Sequence, residues 1–308
     1  MAAELAVDPP PPGMTVACVV VTRDRREVLR ESLAAIDAQT HPVEHLVVVD
    51  NASSDGTADM VRAEHPAAHV VELRENAGGA GGFHAGIDFA RRTGAAWVWI
   101  LDDDSVARPD ALERLLAAPW REAGLPEPSL LASRVNWRDG EPHPMNRPVL
   151  LRRDPDRMVR AARAGLLPIR TSTFVSTLVA TAAIERHGLP LAEYFLQADD
   201  IEYTGRILRS EPGYVVPESV VEHRTPTAHD FTSDAGRFFF HLRNTLYMLR
   251  SPAWSRPEKA ALVWAALYTT ARYLRVQGVS RESVSSIGRA VASGVRGPRR
   301  PGAGARAR

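Results

Sequence analysis

Apolar and polar positions alternate between two kinds of segment over the first hundred residues. Short runs rich in Val and Ile are typical of buried strands: "TVACVVVT", "HLVVVD", "HVVELR" and "AWVWILDD". Between them, apolar residues recur three or four positions apart in "DRREVLRESLAAIDAQ", "GTADMVRAEH" and "GFHAGIDFARRTG", which predicts amphipathic helices. The alternation predicts an α/β fold, with βαβ units on a mainly parallel sheet and helices on both faces.

The pattern is weaker in the second half of the chain. Residues 122–170 are rich in Pro and Arg, and we interpret them as a surface excursion with a strand or two around "SLLASRVNW". Strand character returns in "TSTFVSTLVATAAI", and a helix is predicted after the acidic stretch "QADDIEYTGRILRS". We therefore expect an α/β domain over residues 14–235 and a C-terminal helical extension over residues 236–282.

Both ends of the chain lack such periodicity. Residues 1–13 are Pro-rich, and the basic residues 283–308 end in "GVRGPRRPGAGARAR", which consists mainly of Gly, Pro, Ala and Arg, so both segments are predicted to be disordered tails. The first residues carry acids and prolines where a signal peptide would need a basic start and an apolar run. Since no apolar run reaches the roughly 18 residues of a spanning helix, we expect a cytoplasmic protein.

Composition and charge add few constraints. A formal net charge of +1 over 308 residues gives no case for nucleic acid as a partner. The single cysteine, Cys18, lies in an apolar run and is expected to be a small core residue rather than a nucleophile. The segment "KAALVWAALYTTARYL" is interpreted either as a core helix or, given the arginines that follow, as a peripheral contact with the inner face of the plasma membrane.

Polar residues follow each predicted strand at the point where it ends. They are Thr22 and Arg23, Asp50 and Asn51, Arg74 and Asn76, and Asp102, Asp103 and Asp104. In an open α/β sheet, ligands bind outside the carboxyl ends of the strands. Turn formation or helix capping would explain one such residue but not the repeated set. A ligand site is therefore predicted at this edge of the sheet.

Two stretches at this edge suggest specific chemistry. "NAGGAGGFHAGI" has four glycines between Gly78 and Gly82, and it is interpreted as a loop that a ligand approaches or, alternatively, as a flexible turn. "ILDDDS" places three mutually repelling carboxylates together, which favours a Mg²⁺ or Mn²⁺ site at Asp102 and Asp104. Because side chains alternate in extended backbone, Asp103 is expected to point elsewhere and could accept hydrogen bonds from a sugar.

An ordered set of motifs resembles glycosyltransferase family 2. The pieces are "VVVTRDR", "VVVDNASSDGT", "ENAGGAGGFHAGI", "WILDDDSVARPDAL", "QADDIEY" and a later His, and they span roughly residues 16–244. The resemblance implies a GT-A fold, a nucleotide-binding α/β domain. Within the family, the Gly-Gly loop, the triple Asp and the Asp-Asp-x-Glu-Tyr segment are most similar to bacterial cell-wall galactofuranosyltransferases, and next to rhamnosyltransferases.

The resemblance also implies roles for individual residues. Asp102, Asp104 and His223 would hold a divalent cation, and Asp200 would be the catalytic base. The nucleotide-sugar site would be formed by Thr22, Arg23, Asp50, Asn51, Asn76, Gly78, Gly79, Gly82 and Asp103. Asp199 would share the catalytic site or bind the acceptor sugar, and Glu202 lies too near to exclude as the base.

Two questions stay open at this point: the identity of the acceptor and the role of a later polar pair. Ala198 stands where similar enzymes often have a Trp that would stack on an acceptor sugar. Arg243 and Asn244 either contact phosphate or pack as a buried polar pair.

The expected activity is a metal-dependent inverting transfer of galactofuranose from UDP-galactofuranose to a polyprenyl-linked or cell-envelope glycan. The first alternative is a rhamnosyltransferase that uses dTDP-rhamnose. A sugar nucleotidyltransferase would need a basic Gly-rich loop near the amino terminus, which "VVVTRDRREV" lacks. A non-catalytic glycan or nucleotide binder would not require both the metal aspartates and a base.

Overall fold

A computed structural model of the chain describes residues 14–226 and 235–297. The predicted tail 1–13 and the last part of the basic tail, 298–308, lie outside the described residues. Ten strands are found in this part of the chain: β1 Val16–Thr22, β2 His45–Asp50, β3 His69–Glu72, β4 Trp97–Asp102, β5 Ser105–Ala107, β6 Leu130–Asn136, β7 Val149–Leu150, β8 Leu167–Thr171, β9 Thr177–Ala180 and β10 Gly213–His223.

Ten α-helices accompany these strands in the described ranges. They are α1 Arg26–Asp37, α2 Thr57–Glu64, α3 Gly78–Ala90, α4 Ala111–Leu116, α5 Pro155–Arg163, α6 Thr181–His187, α7 Asp199–Ile207, α8 Ala235–Met248, α9 Arg256–Gln277 and α10 Arg281–Arg296. A short 3-10 helix, Ala192–Tyr194, precedes α7.

The strands form one mixed sheet that is parallel over its first half. Its order is β3-β2-β1-β4-β9-β6-β10-β8-β7, and β5 pairs with β10. Strands β3, β2, β1 and β4 run parallel, whereas β9 runs antiparallel to both β4 and β6. The predicted α/β fold is confirmed, and the sheet is mixed because β9 is inserted antiparallel and because β5 and β8 pair antiparallel with β10.

Helices cover both faces of the sheet, as the alternating pattern predicts. In β1, Cys18 and Val20 pack into a core with α1, α2, α4 and α5, while Val19 and Val21 face a second core with α3, α6 and α7. Successive strand residues point to opposite faces, so a continuous Val run supplies both cores. Cys18 is fully buried, as expected, and burial raises the pKa of its thiol.

The strand predicted around "SLLASRVNW" is confirmed as β6, but its expected position in a surface excursion is wrong. This strand lies inside the sheet between β9 and β10, and six of its seven residues are buried. Its apolar run is interrupted by Ser133, whose hydroxyl is satisfied by the buried hydroxyls of Ser176 and Ser219 at 2.6 Å each. A hydroxyl partnered in this way can be buried at low cost, which sequence periodicity does not reveal.

The prediction of disorder from residue 283 onward is also wrong for residues 283–296, because they belong to helix α10. Ser280 and Ser283 form a capping box at its start. Small residues then form the buried side of the helix, and a Cβ at Gly294 would lie only 2.6 Å from the Leu246 side chain on α8. Because the buried side of α10 carries small residues, its larger apolar residues Val284, Val291 and Val295 lie on an exposed side, so they do not mark the face that packs on α8.

Candidate active site

The first half of the site forms where three parallel strands end side by side. Thr22 at the end of β1 is in register with Asp50 of β2, and Val21 is in register with Asp102 of β4. The backbone carbonyl of Thr22 accepts a hydrogen bond from the Asn51 N–H at 2.9 Å. The polar strand ends predicted from the sequence therefore meet at one edge of the sheet.

Asp102, Asp104 and His223 are brought together by the pairing of β5 with β10. Ser105 is in register with His223, which places the imidazole beside the carboxylates that precede β5. His223 Nε2 lies 2.9 Å from Asp104 Oδ1 and 3.8 Å from Asp102 Oδ2. One ligand atom from each of these three residues falls within 4.8 Å of the other two. Two carboxylates and an imidazole in this arrangement fit a divalent cation such as Mn²⁺ or Mg²⁺.

Asn146 fixes the orientation of the imidazole, and no sequence pattern predicts this role. Its Oδ1 accepts a hydrogen bond from His223 Nδ1 at 2.8 Å, so Nε2 is directed at the carboxylates. Such partners commonly set the tautomer of a metal-binding histidine. Asn146 lies in "HPMNRP", a stretch without helix or strand periodicity. Only its position relative to β10 in the folded chain identifies it.

Burial and charge act in opposite directions on this cluster. Burial alone would raise the pKa of Asp104, but the hydrogen bond and charge of His223, together with Arg25, lower it to about 2. Burial would lower the pKa of His223, but Asp104 and Asp102 raise it. Asp104 therefore stays ionised and available to a cation over the physiological pH range.

Asp103 points away from the cluster, as alternation predicts, but it does not face an open pocket. Its Oδ2 accepts a hydrogen bond from Thr22 Oγ1 at 2.9 Å, and its Oδ1 accepts one from Arg25 Nη1 at 2.6 Å. Arg25 also binds Asp104 at 2.9 Å. The guanidinium therefore compensates two adjacent carboxylates, a role that the sequence did not reveal. Direct sugar binding by Asp103 or Thr22 stays a prediction.

Asn51 and Asn76 organise the glycine-rich stretch. Asn51 Nδ2 donates to the Gly78 carbonyl at 3.0 Å, and Asn51 Oδ1 accepts from the Ala77 N–H at 2.9 Å. Asn76 Oδ1 accepts from the Gly78 N–H at 2.9 Å. These side chains position the backbone at the edge of the site, while Asp50 is 4% exposed and accepts a hydrogen bond from the Ser53 N–H.

The expected glycine loop is in fact the first turns of a helix, because α3 begins at Gly78. A Cβ at Gly82 would lie 2.4 Å from Val21 Cγ1, so this glycine permits close packing of α3 on β1. At Gly79 a Cβ would meet nothing within 4 Å. Arg23 is about half exposed and lies 3.4 Å from Asp24. Ligand contact by Arg23, Gly79 and Gly82 stays a prediction.

The paired acids lie at the N-terminus of α7. Backbone N–H groups of Ile201 and Phe174 donate to the Asp200 carboxylate, and burial raises its pKa to about 6. Burial and the charge of Asp200 raise the pKa of Asp199. The charge of Asp200 also contributes, after burial and Asp104, to a raised pKa of Asp102. The acids therefore lie close enough to Asp102 to interact with it electrostatically.

The contacts of Glu202 exclude it as the candidate catalytic base. Its carboxylate is 1% exposed, binds Arg206 through both oxygens at 3.2 Å and accepts a hydrogen bond from Ser251 Oγ at 2.6 Å. A carboxylate held in this way connects α7 to the segment after α8 and is not accessible to a substrate. Asp200 and Asp199 remain as candidates.

A strained segment, residues 193–198, leads into these acids and is called here the 193–198 loop. Phe195, Gln197 and Ala198 have φ values of 59°, 70° and 64°, a region that costs about 1–2 kcal/mol for each residue other than Gly. Asn244 Nδ2 donates to the carbonyls of Tyr194, Leu196 and Gln197 at 3.1, 2.7 and 2.7 Å. These hydrogen bonds hold the unusual backbone in place.

Arg243 and Asn244 therefore pair with each other and with the loop, Asn244 buried and Arg243 half-buried, which favours the second of the two alternatives, while contact with phosphate stays a prediction. Arg243 Nε donates to Asn244 Oδ1 at 2.9 Å, and its Nη2 donates to the Tyr194 carbonyl at 2.6 Å. The other side of the loop touches α3, because a Cβ at Gly78 would lie 2.0 Å from the Phe195 carbonyl oxygen. Only glycine fits at this position.

This arrangement, a carboxylate-rich edge of a mixed sheet with paired acids at a neighbouring helix, defines a GT-A glycosyltransferase. The model of the family "Glycosyl transferase family 2" matches residues 17–173, and the chain belongs to this family. Among named relatives, it is 31% identical over 255 residues to galactofuranosyltransferase GlfT1 of Mycobacterium tuberculosis (strain H37Rv). That match covers 77% of this chain and 83% of the relative.

Solved structures share the fold at low sequence identity. TarS of S. aureus has a TM-score of 0.62 at 17% identity over 92% of this chain, which spans about half of that TarS chain (49%). Its fragment 1-349 in complex with UDP gives a TM-score of 0.60 at 16% identity, with 92% and 80% of the two chains covered. The mannosyltransferase PcManGT of Pyrobaculum calidifontis, in complex with GDP-Man and Mn²⁺, gives 0.56 at 20% identity, with 94% and 83% covered.

Proposed function

We propose that this chain transfers galactofuranose from UDP-galactofuranose to a lipid-linked or cell-envelope glycan, with inversion at the anomeric carbon and with a divalent cation. The observation that carries the proposal is the convergence of Asp102, Asp104 and His223 within electrostatic reach of the half-buried Asp200. Similarity to a galactofuranosyltransferase over most of both chains favours this sugar over rhamnose. The complexes of related folds with UDP and with GDP-Man and Mn²⁺ support a nucleotide-sugar donor and a metal.

Asp102, Asp104 and His223 would hold the cation, which supplies Lewis-acid stabilisation of charge on the departing nucleoside diphosphate. Asp50, at the end of β2, would accept hydrogen bonds from the nucleoside. Thr22 and Arg25 fix Asp103 and Asp104 so that the carboxylates do not turn out of the site. The donor would then lie across the ends of β1, β2 and β4.

Asp200 would remove the proton from the attacking acceptor hydroxyl. A pKa of about 6 leaves this carboxylate ionised at neutral pH but more basic than an exposed aspartate. Asp199, the next residue, would orient the acceptor sugar. Both acids are presented by the 193–198 loop, whose contact with Gly78 joins the acceptor side of the site to the donor side.

Donor choice provides the direct test. Purified protein is titrated with UDP-galactofuranose, dTDP-rhamnose and UDP-glucose, each with Mn²⁺ and with a chelator. We expect UDP-galactofuranose to bind most tightly, and chelation to weaken its binding at least about tenfold, since a bridging cation contributes more than one charged contact. Preference for dTDP-rhamnose would select the rhamnosyltransferase alternative, and binding that ignores the metal would contradict the assigned metal site.

We also propose that α9 rests on an anionic membrane. The interpretation of α9 as a core helix holds for Ala266 and Tyr273, which are buried. Three other large side chains of α9 do not fit it, because Trp264, Leu267 and Tyr268 are 74%, 59% and 69% exposed and share one face. Arg272 and Arg275 are exposed near its end. Aromatic residues flanked by cations favour the interface of a bilayer with anionic lipids. No described helix is long and apolar enough to cross a membrane.

Vesicle flotation tests this contact. Wild-type protein is expected to float with vesicles containing phosphatidylglycerol and not with phosphatidylcholine alone, because each basic residue near an anionic surface contributes about 1 kcal/mol. The double variant Trp264→Ser/Tyr268→Ser should lose most of this binding, whereas Val159→Ser, an exposed valine on α5, should not. A wild-type dimer that the double variant abolishes, without any flotation, would instead make this face a contact between copies.

A further inference from the structure

A second concave site lies apart from the metal cluster, at the opposite end of α7. Its volume is ≈ 920 Å³, and it is bounded by β7 and β8, by the residues after α7 and by the first turn of α9. Five arginines line it: Arg147, Arg152, Arg153, Arg170 and Arg209. We call it the basic cavity. None of its lining residues belongs to the Asp102, Asp104 and His223 cluster.

Most of the positive charge in the basic cavity is uncompensated. Arg170 is neutralised, since its Nε lies 2.8 Å from Glu258 Oε1 and its other nitrogens donate to the carbonyls of Gly205 and Ala253. Glu258 is the one acid that lines the cavity. Within residues 14–226 and 235–297, the other four arginines make no ion pair. Four like charges around one cavity repel each other, so an anion bound there would stabilise them.

The cavity also has an apolar part, formed by Leu150, Leu151 and Leu208. Arginine forks match the oxygens of phosphate groups, and one or two phosphates would suit several converging guanidinium groups. Leucine side chains beside them would suit a hydrocarbon chain. The chemistry therefore fits a phosphate-bearing amphiphile better than a free inorganic anion.

The position of the cavity relates it to catalysis. Asp200 lies in the first turn of α7, and Leu208 and Arg209 follow its last residue, so the helix separates base and cavity by about 13 Å. On the other side, Asn146 binds His223 while the next residue, Arg147, lines the cavity. The cavity also adjoins the start of α9, whose exposed apolar face is described above.

From this geometry we infer that the basic cavity binds the diphosphate of a lipid-linked acceptor, while the glycan end of that acceptor extends to Asp200. The inference rests on the proposed transfer for the identity of the acceptor. Anion binding in the cavity can be measured without any donor or cation. Failure of one proposal can therefore be distinguished from failure of the other.

Calorimetry with inorganic pyrophosphate and with farnesyl diphosphate, both in EDTA, tests the inference. EDTA prevents either probe from binding through a metal at Asp102 and Asp104. We expect farnesyl diphosphate to bind more tightly than pyrophosphate and to compete with it. The double variant Arg152→Gln/Arg153→Gln should weaken both by at least about tenfold, since a hydrogen bond to a charged group contributes about that much.

The matched control is Arg121→Gln/Arg163→Gln, which removes the same charge at two exposed arginines outside the cavity. It should leave both affinities within about twofold, because exposed charges at a distance are screened by salt. Donor binding with Mn²⁺ should be unchanged in both double variants. Absence of binding, equal losses in the two double variants, or equal affinity for the two probes would overturn the inference.

Discussion

Replacement of Asp200 by Asn is expected to lower turnover about 10³-fold while leaving the affinity for the nucleotide-sugar donor unchanged. A positioned general base contributes typically about 10²–10⁴-fold, and an amide of the same shape cannot accept the proton of the acceptor hydroxyl. The Ile201 N–H that donates to Asp200 Oδ1 at 2.7 Å can still donate to the amide oxygen of Asn. Single-turnover rates and donor titration of the same preparation provide the measurement.

The pH profile gives an independent check on this role. The base must be ionised to act, and burial raises its pKa to about 6, so turnover should fall as the pH drops below about 6 and level off above it. Asp199→Asn should retain a wild-type profile and mainly raise KM for the acceptor. If Asp199→Asn removed turnover and Asp200→Asn did not, the two roles would have to be exchanged.

Replacement of Asp104 by Asn is expected to reduce cation affinity and turnover together, by about 10³-fold in turnover. This carboxylate is held ionised by His223 and Arg25, which lower its pKa to about 2, and an uncharged amide would offset much less of the cation's charge. Manganese titration followed by donor-dependent turnover at saturating metal separates the two effects. Recovery of full turnover at high metal would indicate a role in affinity alone.

The Asn146→Ala variant is a milder change at the same proposed metal site, and its effect can be compared with that of Asp104→Asn. It leaves all three proposed ligands in place and removes the acceptor of the His223 Nδ1 hydrogen bond, together with the hydrogen bond that Asn146 Nδ2 donates to Thr173 Oγ1 at 3.1 Å. Loss of such a partner typically costs about 10–100-fold in metal affinity. An effect as large as that of Asp104→Asn would mean that His223 is a structural residue whose loss of orientation disrupts the fold around β10.

The polar residues at the carboxyl ends of the parallel strands could be predicted because the local sequence determines where each strand ends. Asp50 and Asp102 follow uninterrupted apolar runs, and in parallel strands such positions necessarily reach the same edge of the sheet. The approach of His223 to Asp104 depends instead on the antiparallel pairing of Ser105 with His223, 118 residues later in the chain. Its expected place came from the resemblance to the family, since no local pattern specifies that register.

Other parts of the site depend on contacts between distant segments. Arg25 lies at the start of the periodic segment that forms α1, and Asn146 lies in a stretch without periodicity, but the partners of both can be identified only from the fold. The exposure of Trp264 has the same origin, because an apolar stripe on a helix looks identical whether it faces a core or solvent. The start of α10 could have been predicted from the sequence, since Ser280 and Ser283 are spaced as in a capping box.

The 193–198 loop has a consequence for how new acceptor specificities could arise in this chain. Its backbone is fixed on one side by three carbonyls bound to Asn244 and on the other by contact with Gly78, where no side chain fits. Insertions or deletions would break both restraints and displace Asp199 and Asp200 together. We therefore expect divergence among its descendants to occur by exchange of side chains such as Phe195 at constant loop length, with Gly78 and Asn244 changing only as a pair.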